Sequence, residues 1–273
     1  MNDLFTQPGK PNLAGKQASG SKAASRGSKT NTYTAKDIEV LEGLEPVRRR
    51  PGMYIGGTDE RALHHLAAEV LDNAMDEAVA GHADRIEVTL NAESILTVVD
   101  NGRGIPTDPH PKYKPKSALE VILTTLHSGG KFSDKVYQTA GGLHGVGISV
   151  VNALSDSLVV EVARDRQLWR QEYSRGEAKT KLLDMGKVAN RRGTTIACHP
   201  DPEIFGAGAR FLPSRLYRMA RSKAYLFRGV KIHWRCAESL ITGKDQTPSE
   251  AVLHFPNGLA DFLAASLGDG PTV

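Results

Sequence analysis

Three polar side chains recur at every fourth residue between positions 65 and 73, and their types suit chemistry on a phosphate. His65, Glu69 and Asn73 would stack on one face of a helix. That face lies beside the apolar stripe, at the rim of the core. Burying a carboxylate and an amide there costs free energy unless a ligand or a neighbouring group binds them. Glu69 can accept a proton from water, His65 can orient it, and the Asn73 oxygen suits Mg²⁺. An ordinary acidic helix face in solvent is the alternative interpretation.

A second motif places an acid and two glycines directly after a predicted strand, in the order Asp100-x-Gly102-x-Gly104. The glycines would let a flat ligand approach the backbone closely. The Asp100 carboxylate could then accept the exocyclic amine of adenine. A simple Asn-Gly hairpin turn is the alternative.

A third motif has four glycines in the seven residues 141–147, immediately before a predicted helix. Backbone N–H groups and the positive end of the helix dipole would attract phosphate there. The spacing matches neither a Walker A loop nor the dinucleotide motif, and a flexible linker is the alternative. Together the three motifs supply a Mg²⁺ ligand with a base, an adenine anchor and a phosphate cradle. This combination predicts an ATP site.

The elements that must position these motifs can be predicted from periodicity and turn residues. A long helix is expected over 61–80, because apolar residues recur there at helical spacing. Residues 46–51 are expected to form a charged connector. Further helices are predicted at 118–126, 148–154 and 213–226, and strands at 86–90, 95–99, 158–162, 169–173, 194–197 and 230–234. The predicted fold class is α+β, a two-layer sandwich of a mixed, mostly antiparallel sheet with helices on one face.

Composition narrows the class of protein and suggests three segments. The chain has 273 residues, 40% of them hydrophobic, enough for a sizeable core. Residues 1–32 hold five basic residues and one acidic residue, so the net charge of +4 lies in this segment. Two distant cysteines argue against a disulfide scaffold or a cysteine zinc site. With no apolar run long enough for a membrane span and no signal peptide, a cytoplasmic protein is expected. The predicted segments are a disordered basic tail (1–32), an ATP-binding domain (33–236) and the start of a second domain (237–273).

Longer sequence strings show which protein family this order of motifs resembles. Residues 45–54, 127–132 and 142–155 resemble the ATPase subunits of bacterial type IIA topoisomerases, within the ATPase superfamily shared by gyrase, the Hsp90 chaperones, the MutL proteins and sensor histidine kinases. The resemblance extends from Tyr33 to the end of the chain. The strings 108–111 and 131–138 are closer to the topoisomerase IV B branch than to gyrase B. Gyrase B is the alternative, and a histidine-kinase-type ATP domain is a more distant one.

The resemblance implies a role for each matching residue. Glu69 corresponds to the general base with His65 as its orienting partner, Asn73 to the Mg²⁺ ligand, and Asp100 to the adenine anchor with Thr194 as its water-linked neighbour. The remaining predicted nucleotide-binding or rim residues are Tyr33 on an arm reaching the partner subunit; Glu77 paired with Arg103; Arg103 and Arg164 at the aminocoumarin rim; Gly104, Ile105 and Pro106 on the adenine floor; Ile122 and Tyr137; and Lys131, Gly142, Leu143, His144, Gly145, Val146 and Gly147 in the phosphate lid.

The resemblance also implies cofactors and partners. ATP and Mg²⁺ are the expected cofactors. The expected partners are a second copy of the chain on ATP binding, the A subunit of topoisomerase IV in a heterotetramer, DNA, and aminocoumarin inhibitors. The family's Gln-Thr-Lys string, whose lysine contacts the γ-phosphate, is not present, since Gln246-Thr247 is followed by Pro248. A truncated chain that binds ATP and hydrolyses it weakly is therefore expected.

Overall fold

A computed structural model describes residues 41–129, 145–242 and 246–267. Its helices are α1 Glu45–Arg49, α2 Gly52–Ile55, α3 Glu60–Val79, α4 Ala118–Thr124, α5 Gly147–Ala153, α6 Pro202–Phe205, α7 Pro213–Leu226 and α8 Leu259–Leu267, with a 3-10 turn at Glu238–Leu240. Its strands are β1 Arg85–Leu90, β2 Leu96–Asp100, β3 Ser155–Arg164, β4 Gln167–Ser174, β5 Glu177–Ala178, β6 Leu183–Lys187, β7 Gly193–Pro200, β8 Lys231–Cys236 and β9 Glu250–Leu253. None of the described helices is long and apolar enough to cross a membrane.

The strands form a single sheet in the order β5-β4-β3-β7-β2-β1-β8-β9, with β6 also paired to β4. Among the described strands, β1 and β8 are parallel and every other pair is antiparallel. Alternate residues of the central strands, such as Ile86, Val88 and Leu90 in β1, are buried. They pack under the helices, while the residues between them face the other side of the sheet. The predicted α+β class with a mixed, mostly antiparallel sheet is confirmed.

Helix α3 forms the centre of the helical layer and lies close to its predicted bounds. The Asp59 side chain caps it by accepting a hydrogen bond from the Ala62 N–H at 2.9 Å. Leu63, Leu66 and Val70 on its apolar stripe are buried. Burial of this stripe fixes the rotation of the helix, and so the direction of its polar face.

The connector predicted at 46–51 is wrong as a description of local structure, because most of it is helical. Helix α1 has Pro46 in its first turn, where the missing N–H costs nothing. Arg48 donates to the Ala153 carbonyl at 2.8 Å and pairs with the buried Asp201 at 2.7 Å. Arg48 therefore anchors α1 to α5 and to the start of α6, while Arg49 and Arg50 remain exposed.

Strands β6 and β9 were not expected from the sequence. Most residues of β6 are exposed, so its sequence lacks the alternation of a half-buried strand. Strand β9 pairs with β8 and extends the same sheet at residues 250–253. These residues fall in the segment where a second domain was predicted to start, and the boundary at Ala237 stays a prediction.

Candidate functional site

The polar face of α3 lies at the rim of the core. The Asn73 amide N–H donates to the Glu69 carbonyl at 2.9 Å, which holds the amide nitrogen against the helix backbone. The His65 Nδ1 lies 3.8 Å from the Glu69 Oε1, too far for a hydrogen bond. The Glu69 side chain is 29% exposed and that of His65 is 53% exposed. The helix thus brings the three residues together on an accessible face, and the orienting role of His65 stays a prediction.

Helix α5 begins directly against the Glu69 carboxylate. Its first residue is Gly147, where an added Cβ would lie 2.0 Å from the Glu69 Oε2. Only glycine fits that contact without displacing the carboxylate. Val146 occupies the N-cap position and packs partly against the core, and Gly145 before it has φ of 61°. The described end of the glycine-rich segment and the candidate base therefore meet at one point.

Asp100 ends strand β2 and is 7% exposed. Its Oδ1 accepts a hydrogen bond from the Gly102 N–H at 2.7 Å. Burial raises the pKa of Asp100 to about 6, although the backbone N–H groups of Gly102 and Thr194 act in the opposite direction. A buried carboxylate whose pKa lies this close to neutrality can gain much from a ligand that donates a hydrogen bond to it.

Strand β7 closes the other side of this anchor through a close backbone approach. Gly193 has φ of +105°, and a Cβ there would lie 2.0 Å from the Asp100 carbonyl oxygen. The next residue, Thr194, accepts a hydrogen bond from the Ile105 N–H at 3.3 Å on its side-chain oxygen. Asp100, Thr194 and Ile105 are thereby placed side by side, as their predicted shared role requires.

The predicted pairing of Glu77 with Arg103 is present. The Arg103 guanidinium donates to the Glu77 Oε1 at 2.8 Å, and its backbone N–H donates to the Glu77 Oε2 at 2.9 Å. Gly102 is packed against the same carboxylate, since a Cβ there would lie 2.7 Å from the Glu77 Oε2. These contacts tie the last turns of α3 to the loop that follows Asp100.

Arg164, at the end of β3, supports the predicted adenine floor from the side. Its guanidinium donates to the Gly104 carbonyl at 2.9 Å. Gly104 has φ of +77°, and a Cβ there would lie 3.0 Å from the Val162 side chain. Ile105 and the α4 residue Ile122 pack partly against the core, while Pro106 is exposed.

Several predicted site residues lie outside the described residues: Tyr33, Lys131, Tyr137, Gly142, Leu143 and His144. The predicted tail at 1–32 also lies outside them. The sequence motifs mark Gly193 only as the neighbour of Thr194, whereas in the structure its lack of a side chain lets the Asp100 carbonyl pack against it. A glycine at the start of a strand, where it weakens the strand, was the available signal for such an approach.

This fold and site define an ATPase class. The chain belongs to the histidine kinase-, DNA gyrase B- and HSP90-like ATPase family, whose family model matches residues 58–204. Membership of this ATPase family implies that the chain binds ATP. The family predicted from the sequence motifs is confirmed.

Particular relatives are more similar still. The chain is 65% identical to the B subunit of DNA topoisomerase 4 from Caulobacter vibrioides, over 85% of its own length and 33% of that protein. It is 60% identical to the B subunit of DNA topoisomerase 4 from Bartonella bacilliformis, over 87% of this chain and 34% of that protein. The B subunit of DNA gyrase from Thermotoga maritima is 48% identical over 85% of this chain and 35% of that protein.

A solved structure has the same fold. The 43K ATPase domain of Thermus thermophilus gyrase B, in complex with an aminocoumarin, matches with a TM-score of 0.70 and 44% identity. The match covers 83% of this chain and 55% of that chain. The chain spans about a third of the length of the topoisomerase 4 subunits that it matches.

Proposed function

We propose that this chain is the ATPase region of a topoisomerase IV B subunit, in which ATP binding closes a dimeric clamp and hydrolysis resets it during DNA strand passage. The contact of Gly147 with Glu69 carries the chemical part of this proposal, because it joins the phosphate-binding segment to the candidate base. Identities of 57% to 65% with topoisomerase 4 subunits, against 48% with a gyrase subunit, favour the topoisomerase IV branch.

Adenine recognition rests on Asp100. Its ionised carboxylate accepts a hydrogen bond from the exocyclic amine of adenine, and burial of the carboxylate strengthens this hydrogen bond. Thr194 contributes through a bridging water, and Ile105 and Gly104 with Pro106 form the floor below the base. The positive φ of Gly104 lets the backbone lie flat there without a side chain in the way.

Hydrolysis rests on Glu69, which accepts a proton from the water that attacks the γ-phosphate. Phosphoryl transfer depends on positioning and on charge neutralisation more than on covalent help. The backbone N–H groups at residues 145–147 donate to phosphate oxygens beside this carboxylate. Since Gly147 touches Glu69, movement of one moves the other, so phosphate binding and alignment of the base are coupled.

Asn73 fits a Mg²⁺ ion that is held mainly by the nucleotide. Among the described residues, no group of three or more histidine, cysteine, aspartate or glutamate side chains could hold a metal by itself. An amide oxygen from Asn73, one turn from Glu69, is the hard donor that Mg²⁺ accepts alongside phosphate oxygens and water. Bound there, the ion would neutralise phosphate charge.

Inhibitor binding and assembly extend the proposal. The gyrase B neighbour was solved with an aminocoumarin, and Arg103 and Arg164 are proposed to form the corresponding rim here. Tyr33 is proposed to reach the partner copy's nucleotide, and Lys131, Tyr137 and residues 142–144 to complete the phosphate lid. The A subunit of topoisomerase IV is the proposed second partner in a heterotetramer, and residues 237–273 begin the proposed second domain.

Calorimetry with Mg²⁺ and a non-hydrolysable ATP analogue tests these roles. Wild type and Glu69→Gln are expected to bind alike, whereas Asp100→Ala binds at least tenfold more weakly. Asp108→Ala, at an exposed aspartate, is the control and should bind like wild type. Glu69→Gln should then abolish whatever ATP hydrolysis the wild type shows. Retained hydrolysis in Glu69→Gln would refute the base assignment, and unaltered binding in Asp100→Ala the adenine assignment.

The gyrase alternative needs a separate assay. The complete B subunit, combined with its A subunit, is expected to relax and decatenate DNA with ATP. ATP-dependent introduction of negative supercoils would instead identify a gyrase.

A further inference from the structure

The sheet face turned away from the helices carries a depression of about 630 Å³. Its floor includes Glu87, Val99 and Thr195, which are paired in register across β1, β2 and β7. These are the residues between the buried positions of each strand, so they face opposite to the helical layer. We call this depression the open-face groove.

Four arginines line the open-face groove: Arg85, Arg166, Arg191 and Arg192. Two of its lining carboxylates, Glu87 and Asp165, face the same space. Asp100 also lines the groove, but its buried carboxyl group faces the other side of the sheet from Val99, because side chains alternate along a strand. Four arginines against these two carboxylates give this face of the groove a net charge of +2, on a folded part of the chain that has no overall basic excess.

Not all of this positive charge is neutralised within the protein. Arg85 pairs with Glu87, and Arg191 pairs with Glu161 at 2.6 Å. Arg192 donates to a neutral acceptor, the His82 carbonyl, at 3.1 Å. Arg166, exposed in the tight turn between β3 and β4, has no carboxylate partner in the part of the chain that the structure describes. Two guanidinium groups are thus placed to meet an external anion.

The spread of the arginines indicates what kind of anion fits. Strands β1, β2, β7 and β3 are consecutive in the sheet. Arg85 on β1 donates to Glu87 through one guanidinium nitrogen and has further N–H donors for a ligand. Because neighbouring strands lie about 4.8 Å apart, Arg85 and the turn that follows β3 are separated by roughly 14 Å. One phosphate cannot contact both ends of such a patch, whereas a chain of phosphates can. Guanidinium groups also suit phosphate oxygens, to which they can donate two hydrogen bonds at once.

We propose that the open-face groove binds the sugar–phosphate backbone of duplex DNA. The choice of DNA rests on the proposed function in DNA strand passage, and the site is separate from the ATP site. The groove and the adenine anchor lie on opposite faces of β2 and β7, so nucleotide and DNA can be bound together. Contacts to phosphates alone carry no base information, so this binding is independent of sequence.

Fluorescence anisotropy with a labelled 20-base-pair duplex of mixed sequence, at several salt concentrations, tests the proposal on the full chain. The variant Arg166→Gln/Arg192→Gln removes two groove charges. The matched control, Arg210→Gln/Arg218→Gln, removes two charges from exposed arginines within and just before α7. Each lost phosphate contact lowers the slope of log K against log salt by about 0.9. The groove variant is expected to bind at least tenfold more weakly with a slope lower by about 1.8, and the control to bind like wild type.

Three results would overturn the proposal. Absence of duplex binding by wild type is the first. Equal binding by the groove variant and the control is the second, and it would assign the binding to the basic segment 1–32. Competition by a poly-glutamate peptide as strong as by unlabelled duplex is the third, and it would make the groove a site for acidic proteins. Binding of the ATP analogue, measured on the same samples, reports separately on the fold and on the proposed ATPase function.

Discussion

Replacing Asp100 by asparagine should stabilise the free protein while it damages the ATP site. Asp100 is buried at the end of β2, and burial raises its pKa from 3.8 to about 6. In the unfolded chain the carboxyl group ionises near its ordinary pKa. Above pH 6 the folded protein therefore holds a charge that the unfolded chain would carry at lower cost.

The size of this effect follows from the shift in pKa. A rise from 3.8 to about 6 is a little over two pH units, and one unit corresponds to about 1.4 kcal/mol, so the cost is roughly 3 kcal/mol. Proton binding determines its sign. Between pH 3.8 and about 6 the folded state holds more protons at Asp100 than the unfolded state, so stability falls as pH rises through this window. Below it the cost disappears.

Urea denaturation of wild type and Asp100→Asn at pH 4 and pH 7.5 measures the effect. The variant is expected to be more stable at pH 7.5, by up to about 3 kcal/mol, and nearly equal to wild type at pH 4. Its affinity for the ATP analogue should fall at least tenfold, because the charged acceptor is gone. Asp108→Asn, at an exposed position, should change stability by less than about 0.5 kcal/mol. A stability difference that does not vary with pH would refute the reasoning.

Three further predictions concern the same site. Gly147→Ala should lower ATP hydrolysis at least tenfold in a steady-state assay, because its Cβ would collide with the Glu69 carboxylate; activity equal to wild type would contradict this. Gly193→Ala should destabilise the protein by more than about 2 kcal/mol in urea. The φ of +105° is strained for alanine, and the new Cβ would clash with the backbone carbonyl of Asp100, which cannot move aside as a flexible side chain could. Gly208→Ala, with open space around it, is the control for both. Affinity for the ATP analogue should fall as pH drops below about 6, where Asp100 takes up a proton, and a flat calorimetric profile from pH 8 to 5 would argue against Asp100 as the anchor.

The parts of the fold set by local periodicity could be predicted from the sequence. Helix α3 was expected over 61–80 and spans Glu60–Val79, and α7 has its predicted bounds of Pro213–Leu226. Both are long, amphipathic and bounded by residues that stop a helix. Strand β6 could not be found in the same way, because a mostly exposed strand buries little and leaves no alternating pattern.

The site likewise has a part that local spacing predicts and a part that it does not predict. His65, Glu69 and Asn73 lie on one helix, so spacing alone brings them together. The contacts of Gly193 with Asp100 and of Arg164 with Gly104 join segments that are distant in sequence. Such contacts depend on which strands become neighbours in the sheet, and no local pattern encodes that order.

The strand order also determines when the adenine anchor can form during synthesis. Strand β2 has its partner β7 on one side, and the Ile105–Thr194 hydrogen bond joins residues 89 positions apart. Such a pairing must close a long loop before any stabilising contact is gained, so it is slow to form. A nascent chain that has not yet exposed β7 has α3 and Asp100 but no adenine pocket. The proposed ATP site is therefore complete only when the chain up to β7 has been made and has paired with β2, and ATP can stabilise the protein only after that pairing.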